Sequence, residues 1–275
     1  MKPIYQENKL PLLMTASVNT RGMKNACFTD EEREDMYAKT LQIYINKLLT
    51  NVSGSGYKLV FVENSGWDLI RIQNKIQIDD RSQIEFISLD PTVFDISKGK
   101  GYNELLLIKL AINQSRFISE SKAFLKVTGR YPIYNIQYFL DEASRLFFSK
   151  GIDLYIDIKD HKIYDWLHLG WNGHSADVRL FAVSVDFFLN QIAYRYVELN
   201  DYNGFLFEGL MYDIVKSNMK NKNIVCRFKK EMHLGGFEGS NVNAVSFSKD
   251  QNSFKGKIKR IMGNFIRRFL PFFWF

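Results

Sequence analysis

Apolar residues recur along this chain in two alternating rhythms. Short unbroken runs predict buried strands: "LPLLMTASV" at 10–18, "YKLVFVENSG" at 57–66, "IEFISLD" at 84–90, "AFLKVTGRYPI" from Ala123, and "IDLYIDIKD" at 152–160. Between them, longer stretches carry apolar residues at three- and four-residue steps. "TDEEREDMYAKTLQIYINKLL" predicts a helix capped by Thr29 or Asp30, with acids crowding its first turn. "NELLLIKLAINQ" and "IQYFLDEASRLFFSKG" predict two more, the second closed by Gly151. The second half is less regular: a loop, a strand and a short helix in "HLGWNGHSADVRLFAVSVDFFLNQIAYRYV", then an amphipathic helix in "NGFLFEGLMYDIVKSNM". "KNIVCRFKKEMHLGGFEGSNV" predicts a last strand entering a Gly-rich loop.

Strands alternating with helices predict an α/β layer structure with a mainly parallel central sheet. In such sheets ligands collect at the carboxyl ends of the strands. The polar residues that end the runs are therefore the first candidates: Thr15 to Asn19, Glu63 to Ser65, and Thr128 to Arg130. With 275 residues, 46% hydrophobic, and no repeat or linker, residues 1–250 are expected to form one catalytic-size domain.

Charge changes the picture at one end. The chain carries a net +7, and six cations after Asp250 (Lys255, Lys257, Lys259, Arg260, Arg267 and Arg268) account for all but one of that excess, with no acid among them. The body is near neutral, which argues against a nucleic-acid partner. In "FKGKIKRIMGNFIRRFLPFFWF" the apolar residues Phe254, Ile258, Ile261, Met262, Phe265 and Phe269 fall at helical steps, and a Phe/Trp cluster follows Pro271. Residues 251–275 are thus expected to be a basic amphipathic helix that associates with an anionic membrane surface, with packing against the core as the other reading of the stripe. No run reaches the roughly 18 apolar residues of a bilayer span, and the N-terminus lacks a secretory pattern. Two cysteines form no disulfide framework. The expectation is a cytoplasmic protein, peripheral on the inner face of the cell membrane.

Several catalytic signatures are missing: GxxxxGK[ST], GxGxxG after a strand, HExxH and GxSxG. The four histidines, His161, His168, His174 and His233, lack metal-ligand spacing. What remains is "SKGKGYNE", where Lys98, Gly99, Lys100 and Gly101 precede a helix. Glycines there permit close approach of amides to an anion, and the helix N-terminus adds positive charge; a solvated basic turn is the alternative. Lys126, Thr128 and Arg130 follow near a strand end, where a guanidinium and a hydroxyl can hold a phosphate or sugar.

The order "LLMTASVN", "LVFVENSG", "ISLD", "KGKGYNELLLIKLAI", "FLKVTGRYPIYN", "DVRLFAVSVDFF" and "YNGFLFEGLMYDIV" resembles bacterial and viral surface-polysaccharide glycosyltransferases with a GT-A-like, single Rossmann-type domain. The resemblance covers roughly residues 10 to 240 and rests on a K-G-x-G-E segment and a T-G-R-Y segment. Here Tyr102 and Asn103 stand between Gly101 and Glu104. It implies a nucleotide-sugar donor and a glycan acceptor, lipid-linked where the tail meets a membrane. Thr15, Ala16, Ser17, Glu63, Asn64 and Ser65 would flank the nucleotide. Lys98, Gly99, Lys100, Gly101, Glu104, Thr128, Gly129 and Arg130 would face the diphosphate and donor sugar, with His233 a further diphosphate contact or an ordinary loop histidine.

One departure concerns the metal. An Asp-x-Asp motif is expected where this chain has "VTGRY", and Asp153 and Asp157 lie in another element. No cofactor is fixed, and Mn2+ or Mg2+ stays open beside a metal-independent site in which Lys98, Lys100 and Arg130 replace the cation electrostatically. Candidate bases for an acceptor hydroxyl are Glu208, Asp177 and Asp201, in that order. Arg179, two residues after Asp177, is a candidate for acceptor or sugar hydroxyls, or only a partner for a neighbouring acid. The other functional readings are a nucleotidyl- or phosphoribosyl-type transferase and a non-catalytic membrane-binding protein.

Overall fold

The computed structural model describes residues 8–23, 27–50, 56–161, 166–167, 173–236 and 253–270. The predicted strands and helices form in the predicted order. Strands β1 (Leu12–Ala16), β2 (Leu59–Glu63), β3 (Ile84–Ser88), β4 (Ala123–Thr128), β5 (Leu154–Asp160), β6 (His174–Ser184) and β7 (Ile224–Val225) make one seven-stranded sheet in the order β3-β2-β1-β4-β6-β5-β7. β6 alone runs against the others, pairing antiparallel with both β4 and β5. The sheet is mainly parallel.

Five longer helices accompany it: α1 (Asp30–Ile45), α2 (Lys100–Gln114), α3 (Ile136–Lys150), α4 (Phe207–Ser217) and α5 (Phe254–Phe269). Alternate residues of a strand point to opposite faces, and the core divides accordingly. Leu12, Met14, Phe61 and Leu125 pack with Tyr37, Leu41 and Tyr44 of α1 and Phe139 and Leu140 of α3. Leu13, Val60, Val62 and Phe124 pack with Leu105 and Ile108 of α2 and Met211 and Ile214 of α4. The result is a helix–sheet–helix layering.

The capping reading of α1 holds in detail. Thr29 accepts from the Glu32 amide, and the Glu32 carboxylate accepts from the Thr29 amide, a reciprocal box that satisfies two end donors. α3 closes on Gly151 at φ 62°. α2 starts earlier than its apolar rhythm suggested: Gly99, at φ 90°, is its N-cap, and Lys100 and Gly101 lie inside its first turn. The last strand keeps only two residues, Ile224–Val225.

At the C-terminus α5 forms with its apolar stripe outward. Phe254, Ile261, Phe265 and Phe269 are 59 to 79% exposed. One cation departs from the expected lipid-facing role. Arg267 turns into the body, where its Nη1 meets both Asp157 oxygens at 2.8 and 2.9 Å. The Glu231 amide also donates to Asn264 at 2.8 Å, so α5 is docked by polar contacts on one side while its apolar side is left uncovered by the other described residues. No described helix is long and apolar enough to cross a membrane. His168, the Gly-rich segment from 237 and the Phe/Trp cluster after Pro271 lie outside the described residues.

Candidate functional site

The chain leaves β1 toward β2 and β3 on one side and returns to β4 on the other, so the strand order reverses between β1 and β4. Loops diverge there and leave a crevice at the carboxyl ends. A cavity of about 630 Å³ occupies it, bounded by Thr15, Ala16, Ser17 and Asn64 from the ends of β1 and β2, by the start of α2, and by Thr128 and Arg130 after β4. Because β6 is antiparallel, its beginning lies beside the end of β4, which brings Asp177 and Arg179 into the wall; Asp201 and Glu208 close the far side. Most of the sequence candidates therefore converge on one space, within the volume range of small-ligand sites.

Its floor is a locked polar cluster. Lys126, fully buried, donates to Glu104 at 2.7 Å, to the Thr128 hydroxyl at 2.9 Å and to the Val178 carbonyl at 2.7 Å. Thr15 also donates to Glu104, at 2.8 Å. These contacts fix the Glu104 carboxylate toward the cavity. The ammonium of Lys126 has every donor engaged, so it serves as a support and not as a phosphate contact.

The amides at the start of α2 are not open to a ligand. Asp201, about a hundred residues away in sequence, places its carboxylate on the Lys100 amide at 2.6 Å and the Gly101 amide at 3.2 Å. This is a cap supplied in trans, on a helix whose own N-cap residue has no side chain. It also explains both glycines: a Cβ on Gly99 or Gly101 would meet Asp201 at 2.6 or 2.9 Å. The Lys-Gly segment thus lacks the free anion nest expected of it, and Asp201, engaged by amides, is displaced from the list of bases.

The two remaining acids differ. Asp177 is gripped by Arg179, Nε to Oδ1 at 2.8 Å and Nη2 to Oδ2 at 2.5 Å. Burial alone would raise its pKa, but the Arg179 guanidinium and its hydrogen bonds hold it below the usual carboxylate range. A base needs the opposite shift, so this pair follows the neighbouring-acid reading of Arg179. Glu208, in the first turn of α4, has no ion-pair partner among the described residues. Its side chain lines the cavity and is exposed. Partial desolvation pushes its pKa up, and the charges of Glu104 and Asp201 add to the shift. Of the three acids it best fits a proton acceptor.

The opposite wall is cationic. Arg130 is 8% exposed; its Nη2 donates to the Tyr131 hydroxyl at 3.3 Å, and its Nη1 is buried with no hydrogen-bond partner among the described residues. Arg33, 5% exposed, reaches in from α1 and was not foreseen from sequence. Its Nε donates to the Val18 carbonyl at 2.8 Å and its Nη2 to the Ser17 carbonyl. Lys100 stands nearby, its pKa lowered by burial and then by the charges of Arg130 and Arg33. The Oδ1 atom of Asn64 is likewise buried and has no hydrogen-bond partner among the described residues. Tyr37 and Lys159 also line the cavity without having been anticipated.

Other candidates fall elsewhere. Glu63 is fully buried and accepts from the amides of Val18, Ser65 and Trp67 at 3.0, 2.8 and 3.1 Å. Ser65 accepts from the Asn19 amide at 2.9 Å. Both stitch the loops after β1 and β2 together and face away from the cavity. Lys98 ends a short 3-10 turn outside the lining residues. Gly129 contributes by its smallness, since a Cβ there would come within 2.6 Å of the Thr15 carbonyl. His233 packs edge-on against Tyr134 at 5.1 Å, away from the cavity.

No model of a known protein family matches the chain, and no curated protein matches it in sequence. Among solved structures it is similar to mouse xyloside xylosyltransferase 1, at 11% identity over 80% of this chain and 86% of that one, with a TM-score of 0.45. It is similar also to the mannosyltransferase Ktr4p of S. cerevisiae, at 10% identity over 75% and 64% of the two chains and a TM-score of 0.42. A third is the bifunctional glycosyltransferase WbbM, at 11% identity, 82% and 40% coverage, and a TM-score of 0.46. This chain spans just under two thirds of the yeast protein and less than half of WbbM.

Proposed function

We propose that the protein is a glycosyltransferase that takes a nucleotide-activated sugar into the cavity at the β1/β4 reversal and transfers it to an acceptor hydroxyl. The observation that carries this reading is the division of one cavity into two poles: a buried guanidinium, Arg130, and an exposed carboxylate with no ion-pair partner among the described residues, Glu208. Transfer of a sugar with inversion needs both. Glu208 takes the proton of the acceptor hydroxyl, whose oxygen bonds to the anomeric carbon. The bond from that carbon to the diphosphate oxygen breaks, its electron pair leaves with the diphosphate, and the cationic wall stabilises the charge that develops. The test is thermal stabilisation by UDP, GDP, CMP and dTDP, each with and without a divalent cation. At least one is expected to raise the melting temperature, by an amount that grows with its concentration; no shift from any of them would contradict the reading.

The domain division follows the same reading, with residues 1–250 as the catalytic unit and 251–275 as the part that meets an anionic membrane surface, where a lipid-linked acceptor would be presented. The bare apolar face of α5 and its cations support this, since an interfacial helix buries such a face at the headgroup boundary. Replacing Ile261 and Phe265 by Glu keeps the Arg267–Asp157 contact. It is expected to weaken binding to phosphatidylglycerol vesicles at least about tenfold; sedimentation with equal affinity would remove the membrane role.

A further inference from the structure

We propose that Arg33 and Arg130 together form a metal-free seat for a diphosphate, the two guanidiniums holding the charge that a divalent ion would otherwise bridge. The seat rests on the reading of the cavity as a donor site, and it adds Arg33, on which the sequence was silent.

The cavity carries unbalanced positive charge. Three cations are at least nine-tenths buried among the described residues: Arg33, Lys126 and Arg130. Lys126 has Glu104 at 2.7 Å. Neither arginine has a carboxylate within ion-pair distance among the described residues. Taking a charge out of water costs several kcal/mol, and two like charges in one cavity add repulsion; burial lowers the pKa of Arg33, and the charge of Arg130 is among the further causes. Such an arrangement is tolerated where a ligand brings the missing negative charge.

Geometry says which kind of ligand. Arg33 is oriented by the Ser17 and Val18 carbonyls through Nε and Nη2, and its Nη1 makes neither of those bonds. Arg130 lies against the Tyr131 ring at 5.2 Å, and its Nη1 has no hydrogen-bond partner among the described residues. Both are planar forks fixed by their surroundings, the form that suits phosphate oxygens. One comes from α1 and the other from the loop after β4, so the two wall the same cavity from different elements. A diphosphate, with more than one negative charge spread over two phosphorus centres, matches two separated guanidiniums better than a single carboxylate does.

A divalent ion does not fit this site. The segment where the resemblance places an Asp-x-Asp motif holds Thr128, Gly129 and Arg130, whose guanidinium would repel the ion. Among the described residues no three His, Cys, Asp or Glu side chains converge to ligate one. Of the four acids lining the cavity, Asp201, Asp177 and Glu104 are tied to amides, to Arg179 and to Lys126 respectively, which leaves Glu208 as a single carboxylate.

The test is calorimetric titration of the full chain with inorganic pyrophosphate, UDP and GDP, in EDTA and again in magnesium. Pyrophosphate and at least one nucleotide are expected to bind in EDTA, with affinity changed less than about threefold by magnesium. Arg33→Met and Arg130→Met are each expected to weaken binding at least about tenfold, while Arg130→Met leaves the melting temperature of the ligand-free protein unlowered, because it removes a charge that had no partner. Arg33→Lys, which keeps a donor and a charge, is expected to fall between wild type and Arg33→Met. Unchanged binding in both methionine variants would overturn the seat. Nucleotide binding that requires magnesium would overturn it too, and would leave the glycosyltransferase reading standing. Pyrophosphate binding in EDTA with no binding of either nucleotide would support the seat and remove the donor reading.

Discussion

Glu208→Gln is expected to lower turnover by roughly 10² to 10⁴-fold, the range that a positioned general base supplies, with nucleotide affinity little changed. Gln keeps the shape and the first-turn position in α4 but cannot accept a proton. The pH profile separates this role from a packing role. Partial desolvation raises the Glu208 pKa, and the nearby charges of Glu104 and Asp201 reinforce it. The working form of a base is the ionised one, so wild-type turnover should rise with pH through an apparent pKa above the ordinary carboxylate range. The residual activity of the variant should lack that limb. Steady-state kinetics from pH 4 to 8 checks both statements; a variant with near-normal turnover would remove Glu208 from the chemistry.

Arg267→Met is expected to destabilise the fold by roughly 3 kcal/mol, as breaking one side of a buried ion pair does. Arg267 and Asp157 are 15 and 11% exposed in their side chains, and the bond is bidentate on Asp157. Asp157 also accepts from the Phe228 amide at 3.0 Å, so loss of the guanidinium strands a buried carboxylate that another element still uses. The urea midpoint measures it. Removing residues 251–275 outright takes the partner of Asp157 with it and so tests membrane binding poorly.

The elements were legible because their signals are local. Apolar runs between helical repeats give the strands, Thr29 and Glu32 give the start of α1, and the polar ends of β1, β2 and β4 mark the crevice. The single antiparallel strand, β6, was not legible, since its direction depends on how the chain returns over the sheet. The site was partly legible for the same reason. Thr15, Ala16, Ser17, Asn64, Thr128 and Arg130 sit at strand ends, where topology places ligands whatever their partners.

What sequence did not reveal depends on contacts between distant segments. Arg33 lies inside "TDEERED", an acid-rich first turn that reads as solvated; only the approach of the Ser17 and Val18 carbonyls buries it. Asp201 caps α2 from about a hundred residues away, and no spacing rule connects a loop acid to the amides of Lys100 and Gly101. Glu63 ends a strand as a ligand contact would, yet three backbone amides turn it inward. Arg267 belongs to a run of six cations without an acid, and its partner is 110 residues upstream. In each case the residue type was visible and the partner was not.

The central claim is that one cavity holds a nucleotide-activated donor between Arg130 and Glu208. A crystal structure with whichever nucleoside diphosphate stabilises the protein tests it most directly. The account predicts phosphate oxygens within hydrogen-bond distance of the Arg130 guanidinium, with the terminal phosphate turned toward the Glu208 side of the cavity. Nucleotide bound outside this cavity, or inside it with the phosphates away from Arg130, would contradict it.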